Sequence, residues 1–387
     1  MTSKHILIVA GEASGDLHAS HLVEELRKLK PSLTFSGVGG PLMQKAGVEL
    51  YADLTKIAVV GFVEVLKHFM EFRRVFHLVL GKVRAAKPDA VILVDYPGFN
   101  LRLAKELKKL GVKVIYYISP QVWAWKENRV EAIRRDVDKM LVLFQFEKEF
   151  YAKRGLDVEF VGHPLIDSIK VTKSRKQFLE SVGLSDNKLT VGLLPGSRRK
   201  EIENLLPAML EAADILNREF NGKIQFLLLK TPHISTDLVA KYLRSNIVPN
   251  LRAATLPLKI VEGQTYDGVN ASDVCLVASG TATLETAILG KPMVVAYKTS
   301  LLTYWIAKRL VKIPDIALVN VVAQKRIVAE CVQCDVTGPK LAAEVRTILT
   351  SEAGIAKIKS GLAAVKESLG GSGASKRAAE AVLKILN

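Results

Sequence analysis

The sequence predicts an α/β protein of two doubly wound, Rossmann-like domains facing a central cleft, and three observations predict it. The chain has 387 residues, 49% of them hydrophobic, more than a single core usually supports. Its first half alternates short apolar runs with helical patterns, the mark of a parallel sheet covered on both faces. After a polar stretch from Lys170 to Lys188 that suits an inter-domain connection, the same alternation starts again.

The first strand is HILIVA (5–10). It is short and runs into Gly11, Glu12 and Asp16 rather than a cleavage site, so it reads as a strand and not a signal peptide. A helix from about Asp16 to Leu29 follows, then strands at LTFSGVG (33–39), AVILVD (90–95) and KVIYYIS (113–119). Between them the segment from Phe62 to Val83 sets Phe62, Leu66, Phe69, Phe76, Val79 and Val83 on one helical face. A second stripe, Val63, Lys67, Met70, Arg74 and Leu78, is apolar and basic together, which suits contact with anionic headgroups; a buried core helix fits the same residues. Leu301 to Ile313 has a similar character. Glu64 and Lys67 interrupt the best stretch for the ~18–20 apolar residues of a spanning helix, so the membrane contact expected is peripheral.

The second half repeats the plan with LTVGLLPGS (189–197), a helix from about Glu201 to Phe220, KIQFLLLK (223–230), DVCLVASG (273–280), a helix from about Thr281 to Leu289, and PMVVAYK (292–298). The chain is helical from Gly338, and GGSG (370–373) precedes a last helix, Ala374 to Leu386. The domains expected are 1–169, 170–342, and a helical 343–387 that packs back towards the first.

Lysine and arginine number 55 against 39 acidic residues, a net charge of +16. That favours an anionic partner without choosing among nucleic acid, anionic lipid and a phosphorylated substrate. No compact basic-aromatic RNA motif is present, so nucleic acid is not the partner expected. Three cysteines suit a reducing compartment. Cys331 and Cys334 have CxxC spacing but no second pair or histidine cluster, so no metal site is expected. Cys275 reads as core.

Doubly wound sheets bind ligands just beyond the carboxyl ends of their strands, and the notable motifs fall there. Ser279-Gly280-Thr281, with Glu285 one turn on, opens a helix whose free amides and dipole favour a phosphate, while Glu285 suits ribose hydroxyls; an ordinary N-cap accounts for the same residues. Ser197-Arg198 follows a Pro-Gly turn, where Arg198 can brace a diphosphate with paired hydrogen bonds; Arg199 and Lys200 read as solvated. Gly11-Glu12-Ala13-Ser14-Gly15-Asp16 lacks dinucleotide or P-loop spacing, and its carboxylates repel phosphate, so it reads as sugar-binding or loop-shaping. Asp95 ends the most apolar strand and can take a proton from a sugar hydroxyl if burial raises its pKa; a turn residue is the alternative. Trp123 and Trp125 suit either a sugar ring or the core, and His163 reads as a loop anchor.

Taken in order, HILIVAGEASGD, GVGGPLM, VVGFVEVL, KPDAVILVDYPGFN, SPQVWAWKENR, FEKEFY, VGHPLID, LLPGSRRKEIE, ASGTATLE, PMVVAYK and WIAKRLVK closely resemble the lipid-A-disaccharide synthase family, along the whole chain. These are inverting glycosyltransferases of the GT-B fold. The resemblance implies transfer of 2,3-diacylglucosamine from its UDP derivative to the 6-hydroxyl of 2,3-diacylglucosamine 1-phosphate (lipid X). The products are a β-1,6-linked disaccharide and UDP, made in lipid A biosynthesis at the cytoplasmic face of a Gram-negative inner membrane. It implies no metal or cofactor, and possible homodimers. Asp95 matches the proposed base. Arg198, Ser279, Gly280, Thr281 and Glu285 match donor positions, with Asn320 and Gln333 near the nucleotide, and Glu12 and Ser14 match the cleft loop. Where the family often has a second acidic residue this chain has Gly98, and it departs again at Ala329; neither receives a role. The rival readings are a UDP-N-acetylglucosamine 2-epimerase, a lipid-linked N-acetylglucosaminyltransferase and a basic nucleotide- or nucleic-acid-binding protein. A single displacement needs one base and a stabilised leaving group, and the residues offer no convincing enzyme nucleophile.

Overall fold

A computed structural model describes residues 4–55, 69–125, 127–244, 256–310 and 313–386. The chain divides into two compact units, Met1–Asp167 together with Leu369–Asn387, and Ser168–Ser368. The first holds seven strands: β1 His5–Ala10, β2 Thr34–Gly39, β3 Glu49–Asp53, β4 Ala90–Val94, β5 Lys113–Tyr117, β6 Lys139–Val142 and β7 Glu159–Phe160. Their order is β3-β2-β1-β4-β5-β6-β7, with every neighbouring pair parallel. The second holds β8 Leu189–Leu194, β9 Ile224–Lys230, β10 Leu258–Glu262, β11 Val274–Ala278, β12 Met293–Tyr297 and β13 Ala329–Val332, in the order β10-β9-β8-β11-β12-β13.

Both sheets therefore start in the middle, wind outwards one way, return, and wind out the other way. The central strands β1, β4, β8 and β11 are continuous apolar runs because helices cover both faces of a parallel sheet; every residue of β4 and β11 is buried. Each unit has its own core, around Leu7, Val9, Leu93 and Tyr116 in the first and Leu193, Met209, Phe226 and Leu276 in the second.

The polar stretch from Lys170 to Lys188 is folded into the second unit. It contains a helix, Arg175–Ser181, begun by a Ser174 capping box. The Asp267 carboxylate accepts from the amides of Thr172 and Lys173 at 2.7 and 3.0 Å, and the Arg175 guanidinium donates to Asp186 and Asp273 at 3.0 and 3.1 Å. The last helix, Ala374–Leu386, belongs to the first unit, where it lies against helix Ala13–Leu29. The Asp167 carboxylate caps its start by accepting from Gly373 N at 2.8 Å, and Arg377 Nε donates to Val161 O at 2.8 Å.

Of the apolar-basic stripe, Val63 and Lys67 lie outside the described residues. Helix Phe69–Ala86 carries the remainder: Met70 is 68% exposed, Arg74 is exposed and Leu78 is half-buried, while Val75, Val79 and Val83 face the core. On helix Leu301–Leu310 of the second unit, Leu301 and Trp305 are 67% and 59% exposed. Among the described residues no helix is long and apolar enough to cross a membrane, and no group of three or more His, Cys, Asp or Glu could hold a metal ion.

Candidate active site

In each sheet the strand order reverses once, between β1 and β4 and between β8 and β11. Open sheets of this kind bind ligands at that switch point. The loops after these four strands are the four motifs GEASGD, DYPG, PGSR and SGT.

In the first unit β4 is followed by Asp95 and Tyr96, both in left-handed backbone with φ of 48° and 46°. Such residues cost roughly 1–3 kcal/mol each and persist only where their surroundings enforce them. The enforcement is visible. Asp95 N donates to Tyr117 O at 3.0 Å, the Tyr116 hydroxyl donates to Asp95 O at 2.6 Å, and Asn100 Nδ2 donates to the carbonyls of Val94 and Asp95 at 3.1 and 2.9 Å. Beside them Ile118, a β-branched residue beyond the end of β5, is also left-handed at φ 70°. Tyr96 then begins helix Pro97–Lys109.

The Tyr96 ring lies over Gly11, where any Cβ would come within 2.3 Å of its Cδ1. Glycine at 11 is thus what lets the loops after β1 and β4 close on each other. Glu12 is the N-cap residue of helix Ala13–Leu29 and near enough to Asp95 to act on its charge. Burial first, and Glu12 second, push the Asp95 carboxyl up to about 6. Ser14 is exposed on the first turn. Asp16 is spent on shape: buried, it accepts from the amides of Gly40, Leu42 and Met43 at 2.8, 3.0 and 3.0 Å and ties GEASGD to GVGGPLM.

The remaining motifs of this unit also meet. The Trp123 indole donates to Glu147 at 3.2 Å, and Glu147, buried on helix Gln145–Ala152, is pushed up to about 8 by desolvation. His163 donates its amide to Leu369 O at 2.8 Å and accepts at Nδ1 from Leu165 N at 3.2 Å, the anchor role expected of it. Glu147 was not singled out from the sequence, because a glutamate three residues into a helix reads as a solvated first-turn charge.

In the second unit one cavity of about 890 Å³ is lined by Ser197, Arg198, Ser279, Gly280, Thr281 and Glu285. Gly280, with φ 153° and ψ −160°, sits in a region only glycine occupies readily, although a side chain there would meet nothing within 4 Å. Conformation, not space, requires the glycine. No side chain caps helix Thr281–Ile288, which leaves its first amides directed to the cavity end of the helix. Burial raises the Glu285 carboxyl, and Tyr266, another lining residue, is pushed up to about 12 by burial and by Glu285.

The PGSR turn is held from within. Glu201 accepts from Ser197 N at 2.8 Å and Arg198 N at 3.2 Å, and its other oxygen accepts from the Arg198 guanidinium at 2.9 Å. Gly196, at φ 117°, admits this carboxylate where a Cβ would lie 2.6 Å from Glu201 Cβ.

Asn320 and Gln333 do not line the cavity. Asn320 is fully buried with its amide used: Nδ2 donates to Val328 O and Glu330 Oε1 at 3.0 and 2.8 Å, and Oδ1 accepts from Ile327 N and Val328 N at 2.9 and 3.1 Å. Gln333 clasps both backbone groups of Thr299, at 2.7 and 3.1 Å. Asn320 nevertheless connects to the cavity. Glu330, which it touches, accepts from Ile316 N at 2.9 Å, and Ile316 O accepts from Ser279 Oγ at 3.2 Å. Glu330, Glu201, Tyr266 and Gln264 are the residues the sequence reading missed. The loop from Gly263 to Tyr266 follows β10, so the rule that placed the other motifs would have flagged it had that short, half-exposed strand been recognised.

Comparison with known proteins decides the family. A model described as lipid-A-disaccharide synthetase matches residues 6–385. The chain belongs to the lipid-A-disaccharide synthase family. The lipid-A-disaccharide synthases of Geobacter sulfurreducens and Geobacter metallireducens are 46% and 44% identical to it over 385 and 384 residues, covering 100% and 99% of this chain and 98% of each relative. Among solved structures, the glycotransferase of kitacinnamycin superposes with a TM-score of 0.66 at 15% identity, covering 100% of both chains. The Neisseria meningitidis UDP-GlcNAc 2-epimerase bound to UDP-GlcNAc gives 0.61 at 14%, covering 98% of this chain and 100% of the epimerase. At those identities the likeness shows the fold, which is of the GT-B type. As a member of the lipid-A-disaccharide synthase family, the protein is a glycosyltransferase of lipid A biosynthesis. Its reaction is that of the family, transfer of 2,3-diacylglucosamine from UDP to the 6-hydroxyl of 2,3-diacylglucosamine 1-phosphate.

Proposed function

We propose that the cavity of the second unit takes the UDP moiety of the donor and that Asp95 of the first unit takes the proton from the acceptor's 6-hydroxyl. The observation that carries this reading is that six residues picked for the donor, from two separate motifs, line one cavity at the switch point of their sheet. Arg198 and the uncapped start of helix Thr281–Ile288 meet the charge that grows on the departing diphosphate. Glu285, with Tyr266 beside it, accepts from ribose hydroxyls. Asn320 and Gln333 act indirectly, Asn320 by fixing Glu330 and so the loop that meets Ser279. The leaving group's charge is assigned to these groups and not to a metal ion or other cofactor, and turnover unchanged by a chelator is the expected result.

Inversion proceeds by one displacement: the 6-oxygen attacks the anomeric carbon, its proton passes to Asp95, and the bond to UDP breaks. Gly11, Glu12 and Ser14 shape the acceptor side. Both lipid substrates reside in a membrane, and we assign contact with the anionic cytoplasmic face to Met70, Arg74 and Leu78, together with Val63 and Lys67. In the second unit Leu301 and Trp305, with Lys308 Nζ 5.7 Å from the indole, have the same apolar-basic character. A homodimer is the assembly proposed.

Calorimetric titration with UDP tests the donor assignment. Losing a charge-assisted hydrogen bond costs about 1.5–3 kcal/mol, so Arg198→Ala should bind UDP roughly 10–100-fold more weakly. Unchanged affinity would remove Arg198 from the donor site.

A further inference from the structure

The helix that carries the exposed stripe is also in ring contact with the turn that holds Asp95. Phe72 on helix Phe69–Ala86 lies 6.1 Å from the Tyr96 ring, centroid to centroid, and Tyr96 lies 6.1 Å from Phe99. Phe76, one turn on, meets Phe99 edge-on at 5.6 Å. Tyr96 is the second of two consecutive left-handed residues. The backbone of the turn is tied at Val94 and Asp95 and at Tyr96 O, which accepts from Phe99 N and Asn100 N at 3.2 and 3.0 Å, and the Tyr96 ring has Gly11, Phe72 and Phe99 as neighbours.

We propose that Phe72 is a positioning residue for the transfer reaction: it braces Tyr96 in its left-handed conformation and thereby keeps the Asp95 carboxylate placed and shielded from water. The proposal rests on the reading of Asp95 as the base. It gives the interfacial helix a second role, because the element that meets the lipid surface then also supports the reacting end of the sheet. Without the ring, Tyr96 loses one wall and water reaches Asp95.

The titratable groups around Asp95 are Glu12 on the loop after β1, Tyr96 beside it, Tyr116 on β5 with Arg129 near it, and Glu147 on helix Gln145–Ala152. Helix Phe69–Ala86 itself carries Glu71, Arg73, Arg74 and His77 at its surface. None of these charges is altered by substitution at Phe72, so a changed pH profile reports on hydration.

The test compares wild type, Phe72→Ala, Phe72→Leu and Asp95→Asn with UDP-2,3-diacylglucosamine and 2,3-diacylglucosamine 1-phosphate in detergent micelles. For Phe72→Ala we expect kcat about tenfold lower, donor KM unchanged, and the acid limb of the kcat/KM profile displaced to lower pH by about one unit, since hydration favours the ionised carboxylate and weakens the base. Phe72→Leu, which keeps apolar volume but no ring, should move the limb the same way by less, and it decides the matter if Phe72→Ala does not fold. Sedimentation with anionic phospholipid vesicles should match wild type for both. An acid limb that stays in place in a folded Phe72 variant, while Asp95→Asn is inactive, overturns the proposal alone. Turnover retained by Asp95→Asn overturns the base assignment and the proposal with it.

Discussion

An ordinary aspartate, with a pKa of roughly 3.9, is ionised at neutral pH but has little affinity for a proton. Asp95 gains that affinity from its position: burial and the charge of Glu12 push its carboxyl up to about 6. It stays largely ionised at pH 7, and with Asp95 as the proposed base activity should fall as the pH drops through about 6 and the carboxylate becomes protonated. Asp95→Asn should keep UDP binding in calorimetry while kcat drops by roughly 10²–10⁴-fold, the range for losing a general base. Glu12→Gln removes one of the two causes of the raised value, so the acid limb of its kcat/KM profile should move to lower pH; an unmoved limb would mean Glu12 does not sense Asp95. Asp95 was legible in the sequence because a lone carboxylate at the end of an apolar strand stands out. Its left-handed backbone was not, since φ depends on Asn100, Tyr116 and Gly11, partners distant from it in sequence or unremarkable in type.

At the scale of elements, the central strands announced themselves as unbroken apolar runs and were placed to within a residue or two. The edge strands β3, β7, β10 and β13, and β6 beside β7, were not: ELYAD, EF, LKIVE, AECV and KMLV are short, and their place in the sheet is set by a neighbour rather than by their own pattern. The PGSR turn depends on glycine in a way its sequence only hints at. Gly196→Ala puts a Cβ against Glu201 and asks a side chain to adopt φ 117°. UDP affinity should fall together with the amide protection of the turn, measurable by calorimetry and hydrogen exchange. For helix Phe69–Ala86, Met70→Ser with Leu78→Ser should reduce sedimentation with anionic vesicles without lowering the melting temperature by more than a few degrees, because Met70 is 68% exposed. A large loss of stability would place that stripe in the core.

At the scale of the molecule, the repeated α/β plan could be read directly, and so could a return of C-terminal helices towards the first unit, but not that the return starts only at Leu369, with helices Gly338–Leu349 and Glu352–Ser368 staying in the second. The first unit is completed by the last helix, whose Ala378, Ala379, Val382 and Leu386 are buried and whose terminal carbonyls accept from Lys4 and Lys113. No periodicity within a helix says which neighbour it will cover. Truncation after Leu369 should therefore lower the thermal stability of the first unit by several kcal/mol, at about 1.5–3 kcal/mol for each large apolar side chain uncovered. The truncated chain should still bind UDP, which calorimetry beside limited proteolysis can establish.

That closing helix also has a bearing on biogenesis. The ribosome releases β1 to β7 early, yet the segment that packs on helix Ala13–Leu29 leaves the exit tunnel only after the whole of the second unit. The half translated first is thus the half that matures second, and until its last helix emerges it presents an uncovered apolar flank of the kind that nascent-chain chaperones hold.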